Sequence, residues 1–130
     1  MKLKSSKRLE LIDITADVEA AVRKSGIENG VCILSTPHTT ASISVNENEK
    51  GLCKDLLTFL EKLVPPGAGY LHDRIDNNAD SHIKAMLLGS SKALPIREGK
   101  IELGTWQSIF FVELDGPRER IVNLTLLGAQ

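Results

Sequence analysis

Several classes of protein are excluded by what these 130 residues lack. No apolar run approaches the ~20 residues needed to cross a bilayer. Met1-Lys2-Leu3-Lys4 begins with positive charge, but Ser5, Ser6, Lys7 and Arg8 stand where a secretory signal would carry its apolar stretch, so the expected location is cytoplasmic. Cysteine is scarce. Cys32 and Cys53 form no C-x-x-C pair and each sits within an apolar pattern, which reads as two reduced thiols of a cytosolic protein. No charge dominates: sixteen Lys+Arg against seventeen Asp+Glu give a net charge of -1. That balance argues against nucleic acid as a main partner and leaves room for a local phosphate site. There is no repeat, low-complexity tract or linker, and the length suits one domain spanning residues 1–130.

Ordinary globular composition remains, with 42% hydrophobic and 25% charged residues. Leu9 to Ile14 reads as a strand. Thr15 is placed to cap a helix over about residues 16–25 that ends at Gly26. Val31 to Leu34 reads as a buried strand, and Thr40 to Asn46 as a strand of alternating small and β-branched residues. Leu52, Leu56, Leu60 and Leu63 mark a helix over about residues 48–63, capped by Asn46 or Asn48, which Val64-Pro65-Pro66-Gly67 must end. Residues 70–77 are polar and irregular. A short helix follows from about Ala79 to Leu88, with Ile83, Met86 and Leu87 expected to face the core. Ala93 to Arg97 and Lys100 to Leu103 form a hairpin about Glu98-Gly99. Gln107 to Leu114 is a strand, and residues 119–127 alternate as one more. The pattern predicts an α+β fold, a largely antiparallel sheet with about three helices. Ile109-Phe110-Phe111-Val112 is apolar on both faces. Its cover comes either from a subunit interface in a closed oligomer or from the same chain.

Three histidines are the main chemical signal. His38 lies in a tight connection between strands, His72 in the irregular stretch, and His82 in the first turn of the third helix. Their spacing matches no local metal motif. They are either the three ligands of a catalytic zinc-type site, with Asp73, Asp76 or Asp80 orienting an imidazole, or three unrelated side chains. Glu47 and Glu49 flank a helix start, as acid/base groups or as caps. Gly89-Ser90-Ser91-Lys92 offers amides, hydroxyls and a cation for a phosphate, or is a simple loop. Arg118 follows Asp115-Gly116-Pro117 as a guanidinium suited to phosphate, or to an exposed ion pair. Trp106 either packs or walls a pocket.

Taken in order, His38-Thr39-Thr40-Ala41, Val45-Asn46-Glu47-Asn48, Tyr70-Leu71-His72-Asp73, Ser81-His82-Ile83-Lys84, Gly104-Thr105-Trp106-Gln107 and Asp115-Gly116-Pro117-Arg118 resemble the YjbQ-like family, described as secondary thiamine-phosphate synthases. The resemblance implies a homotrimer of α+β subunits with sites near the subunit boundaries. It implies a transferase that joins a pyrimidine-methyl diphosphate to a thiazole phosphate and releases pyrophosphate. It implies a divalent metal, zinc or magnesium, on His38, His72 and His82, with Glu47 and Arg118 catalytic. Contacts to a small phosphorylated substrate are expected from Thr39, Thr40, Asn46, Trp106 and Gln107 in the motifs and from Ser90 in the phosphate-ready loop. A metal-dependent hydrolase of a phosphate ester or amide, and a non-enzymatic trimeric binder of a small ligand, are the competing readings.

Overall fold

The computed structural model describes all residues, Met1–Gln130. Nine strands and three α-helices follow in the order β1 (Lys2–Lys4), β2 (Glu10–Asp13), α1 (Thr15–Ser25), β3 (Gly30–Ser35), β4 (Ala41–Glu47), α2 (Lys50–Leu63), α3 (Ala79–Leu88), β5 (Ser91–Arg97), β6 (Lys100–Ile101), β7 (Gln107–Glu113), β8 (Glu119–Ile121) and β9 (Asn123–Gly128). A 3-10 turn over Leu71–Arg74 interrupts the irregular stretch before α3. All strand pairings are antiparallel, in three sheets ordered β1-β8, β2-β7-β4 and β6-β5-β3-β9. The fold is the α+β architecture that the alternation of elements predicts.

The main core lies where β3 and β5 meet β4 and β7 under α1. Val18 and Val22 of α1 pack with Cys32, Leu34, Ile43, Ile96, Ile109 and Phe111. The period of two in β7 sends Phe110 and Val112 to its other face, where Leu9, Leu11, Cys53, Ala85 and Leu88 meet them. One chain therefore covers both faces of β7, which settles the alternative that its sequence left open. Cys32 and Cys53 are free thiols. No helix is long and apolar enough to cross a membrane.

Three local expectations are corrected. Thr15 does not cap α1 but is its first residue. Its hydroxyl instead donates to Asp13 Oδ1 at 2.6 Å and accepts from the Ile109 amide at 2.8 Å, tying the helix start to β7. At α2 the cap is Glu49, which accepts from the Gly51 and Leu52 amides, while Asn48 donates to Asp13. The run over residues 119–127 is two strands: it breaks at Val122, so that β8 pairs with the N-terminal β1 while β9 pairs with β3. β1 itself, three residues with a single apolar side chain, carries no strand signal.

The largest departure is the face that α3 buries. Met86 is 84% exposed and Leu87 60%, whereas Asp80, Ser81 and Lys84 are buried. Apolar periodicity points the helix the wrong way because its inward groups are satisfied polar ones. Lys84 Nζ donates to Asp80 Oδ2 at 3.0 Å and to Glu61 Oε1 at 3.1 Å, Arg8 forks onto both oxygens of Asp80, and Ser81 donates to the Leu114 carbonyl at 2.6 Å. Burial favours the protonated Asp80 carboxyl, but the hydrogen bonds and charges of Lys84 and Arg8 outweigh that and hold it below its ordinary value. A buried charge with several partners is tolerable; one with none is not.

This assignment predicts opposite results for two substitutions. Phe111→Ala should cost about 3–5 kcal/mol, as deletion of a core aromatic does. Met86→Ala should stay within about 0.5 kcal/mol in the isolated chain. Urea unfolding monitored by circular dichroism measures both.

Candidate functional site

Two side chains organise the end of the molecule where the histidines gather, and neither stands out in the sequence. Glu113 and Arg120 are fully buried and form a bidentate pair, with Arg120 Nε donating to Glu113 Oε1 at 2.8 Å and Nη2 to Oε2. Ser5 donates to Glu113 Oε1 at 2.6 Å, and the Leu114 and Asp115 amides donate to Oε2. Arg120 Nη2 continues to Thr40 Oγ1 at 2.9 Å. Burial opposes the Glu113 carboxylate, but the hydrogen bonds from Arg120, Ser5 and the Asp115 amide prevail and keep its pKa low. Gly116 is required beside this knot, because a Cβ there would strike the Lys7 carbonyl and the Ser5 hydroxyl. A charged residue closing an apolar strand, and an Arg two places before the inward Val122, were the available signals.

The knot fixes the loop that carries His38. Thr36 donates from its hydroxyl to the Ile121 carbonyl at 3.0 Å and from its amide to the Ser90 carbonyl at 3.0 Å. The Ile121 amide donates to His38 Nε2 at 2.9 Å. With Nε2 accepting, a neutral ring carries its proton on Nδ1, which leaves a donor for a ligand. Burial lowers the His38 pKa below its ordinary value; Arg120 and Arg118 push the same way, and Glu113 opposes. Neutral imidazole is therefore the favoured form.

His38 and His82 line one hollow of about 510 Å³, with Thr36, Pro37, Thr39 and Ser90 on its walls. His72 and His82 meet edge to face, their ring centroids 4.8 Å apart. His72 Nε2 is buried with no hydrogen-bond partner, as is Asn78 Oδ1. Asn78 turns its amide nitrogen to Asp115 Oδ2 at 2.9 Å, and Arg118 Nη2 reaches the same oxygen at 3.1 Å. Arg118 is thus the exposed ion pair that its sequence context allowed, and it is still close enough for its charge to act on His38. Asp73 accepts from the Ala79 amide and so holds the start of α3, while Asp80 belongs to the Lys84 knot; neither orients a histidine. Ser90 sits in the α3–β5 connection, where Lys92 folds back onto the Leu88 carbonyl.

The remaining candidates lie elsewhere. Asn46 and Glu47 end β4, opposite Ser108 and Gln107 of β7. Thr39 and Thr40 precede the other end of β4, about 20 Å away at the rise of an extended chain. Trp106, next to Gln107 at the Glu47 end, is 73% exposed, and the Gln107 side chain accepts from the Gly104 amide. Within the chain the predicted residues form two groups, not one.

No group of three His, Cys, Asp or Glu side chains is arranged to hold a metal ion. The orphaned Nε2 of His72 and the adjacent His82 ring offer two imidazoles, a ligand type that zinc favours more than magnesium, and no third protein ligand completes a set with them. His38 does not fit as the third ligand through Nε2, because Ile121 engages that nitrogen.

The family model described as "UPF0047 protein YjbQ-like" matches residues 1–129. A UPF0047 protein of Archaeoglobus fulgidus is 53% identical over 127 residues, covering 98% of each chain. The UPF0047 protein YugU of Bacillus subtilis is 38% identical over 129 residues, covering 98% of this chain and 97% of its own. The crystal structure of a YbjQ-like protein of unknown function from Sulfolobus solfataricus superposes with a TM-score of 0.97 at 45% identity, covering 99% of this chain and 94% of the other.

Two pH effects follow from the geometry. The His38 ring should titrate below 6.5 in a proton NMR series; a midpoint at or above that value would contradict its proposed tautomer and surroundings. Glu113 and Asp80 have folded pKa values below their unfolded ones. Their stabilisation is therefore complete above about pH 4.5, the ordinary range for carboxylates, and is lost as pH falls through the depressed values. The urea midpoint should drop accordingly below pH 4.5. Glu113→Gln should cost about 3–5 kcal/mol at pH 7, since Arg120 would stay buried without its counter-charge.

Proposed function

We propose that this chain, which belongs to the UPF0047 YjbQ-like family, is a transferase of the secondary thiamine-phosphate synthase type, acting as a homotrimer on two small phosphorylated substrates. The observation that carries this reading is the hollow shared by His38 and His82, with Arg118 near enough for its charge to act on His38. In the reaction the thiazole nitrogen forms a bond to the pyrimidine-methyl carbon. The bond from that carbon to the diphosphate oxygen breaks, and its electron pair leaves with the diphosphate. The chain's task is to bind the departing oxygens and keep water from the electron-poor carbon.

Its residues suit that task. Arg118 releases one of its contacts to Asp115 and offers the freed fork to phosphate. His38 donates through Nδ1, and Ser90 through its hydroxyl. His72 and His82 would hold a divalent ion, which when bound would neutralise further phosphate charge. Asn46 and Glu47 at the far end of β4, with Gln107 paired to them and Trp106 next to it, lie too far to reach this hollow in their own subunit, so a neighbouring copy supplies them. The exposure of Met86, which lines the hollow, and of Leu87 beside it supports a partner at this edge.

The experiment is subunit complementation, with thiamine phosphate measured by chromatography. His38→Ala and Glu47→Gln should each reduce turnover at least about a hundredfold as pure proteins, in line with the loss of a positioned donor or base. Trimers formed by mixing the two variants should regain part of the activity, because some sites then contain both native residues. If mixing restores nothing, the shared site is wrong; if the native protein makes no product, the transferase is wrong. Mass-spectrometric metal content should fall in His72→Ala and His82→Ala, and stay near native in His38→Ala.

A further inference from the structure

His38 has a second side. A larger hollow of about 700 Å³ opens over β1 and β8, and His38 lines it as well. Register makes this hollow basic. Lys2 lies opposite Ile121, Leu3 opposite Arg120 and Lys4 opposite Glu119. Alternation turns Leu3 toward the core and Arg120 into the Glu113 pair, and leaves Lys2 and Lys4 exposed on one face, about 7 Å apart along the strand. Neither lysine has an ion-pair partner among the seven bridges of the molecule. Glu119, opposite Lys4, is the one acid on the wall, and the charge of Arg120 is already met by Glu113. Two lysines without an ion-pair partner therefore line one cavity in a protein whose net charge is -1.

We propose that the hollow over β1 and β8 is a second anion subsite, in which Lys2 and Lys4 hold the phosphate of one substrate while the other substrate occupies the hollow between His38 and His82. This deepens the transferase reading and rests on it for the identity of the ligand. A reaction that joins two phosphorylated molecules must hold both anionic ends at once, with the reacting atoms between them. Two hollows with one shared wall provide that arrangement. The paired lysines act as point charges on flexible stems, which suits a terminal phosphate monoester rather than a planar bidentate group.

The test is titration of the full-length protein with inorganic phosphate, followed by amide NMR. In the native protein, phosphate should move the Leu3, Lys4 and Ile121 amides with one affinity and the His82 and Ser90 amides with another. In Lys2→Ala/Lys4→Ala the first affinity should weaken by about tenfold or more, while the second stays within about twofold. Glu119→Gln should strengthen the first. Lys4→Gln, which retains a long side chain on β1, is the second variant should the double alanine protein lose its fold, and it too should weaken the first affinity. Unchanged phosphate affinity at Leu3 and Ile121 in the lysine variants, or no response of those amides in the native protein, would overturn the subsite. The transferase assay on native protein is separate: absence of product with intact lysine dependence removes the reaction and keeps the subsite, whereas product formation with no lysine dependence does the reverse.

Discussion

The buried pair of Glu113 and Arg120 ties the β1-β8 sheet to the end of the β2-β7-β4 sheet, two sheets that share no strand pairing. Glu113 ends β7, Arg120 lies in β8, Ser5 follows β1, and Thr40 leads into β4. An ion pair with so little solvent contact is not an efficient source of stability, because removing both charges from water costs nearly what their attraction returns. Its value here is positional. Each carboxylate oxygen has more than one donor and the guanidinium reaches both Glu113 and Thr40, so a shift of any one segment leaves a buried charge unpaired. The His38 loop inherits that precision through Thr36, Thr40 and the Ile121 amide.

A second polar knot performs a similar service for the opposite wall of the hollow. Asp80, Lys84, Arg8 and Glu61 seat α3 by its charged face, which leaves Ile83, Met86 and Leu87 outward beside His82. A helix buried by its hydrophobic stripe would have turned Met86 and Leu87 inward and carried His82 with them. The inverted seating therefore sets both the placement of the imidazole and the apolar rim beside it.

The architecture was legible where backbone chemistry and periodicity agree. The strands about Cys32 and Phe111, the Glu98-Gly99 hairpin and the span of α3 all rest on local signals. Reading failed where a tertiary partner overrides the local pattern. Thr15 resembles a cap but bonds to Asp13 and Ile109, and α3 shows an apolar stripe that stays outside. β1 has too few residues to show alternation. Of the site, the sequence singled out the histidines and Arg118, since these residue types are scarce or sit at a rigid turn. It could not show that Asn46, Glu47, Trp106 and Gln107 gather at the far end of β4, because strand length converts to distance only once the pairing is known.

The break at Val122 has a consequence for how the protein comes into being. It sends β8 to the other end of the chain, where the Met1 ammonium donates to the Val122 carbonyl and Leu3 lies opposite Arg120. Strands that meet across so long a stretch of chain must overcome the entropy of closing that loop before their contacts form. The basic hollow and the seat of His38 thus depend on a non-local pairing, whereas the turn at Glu98-Gly99 joins neighbours in sequence.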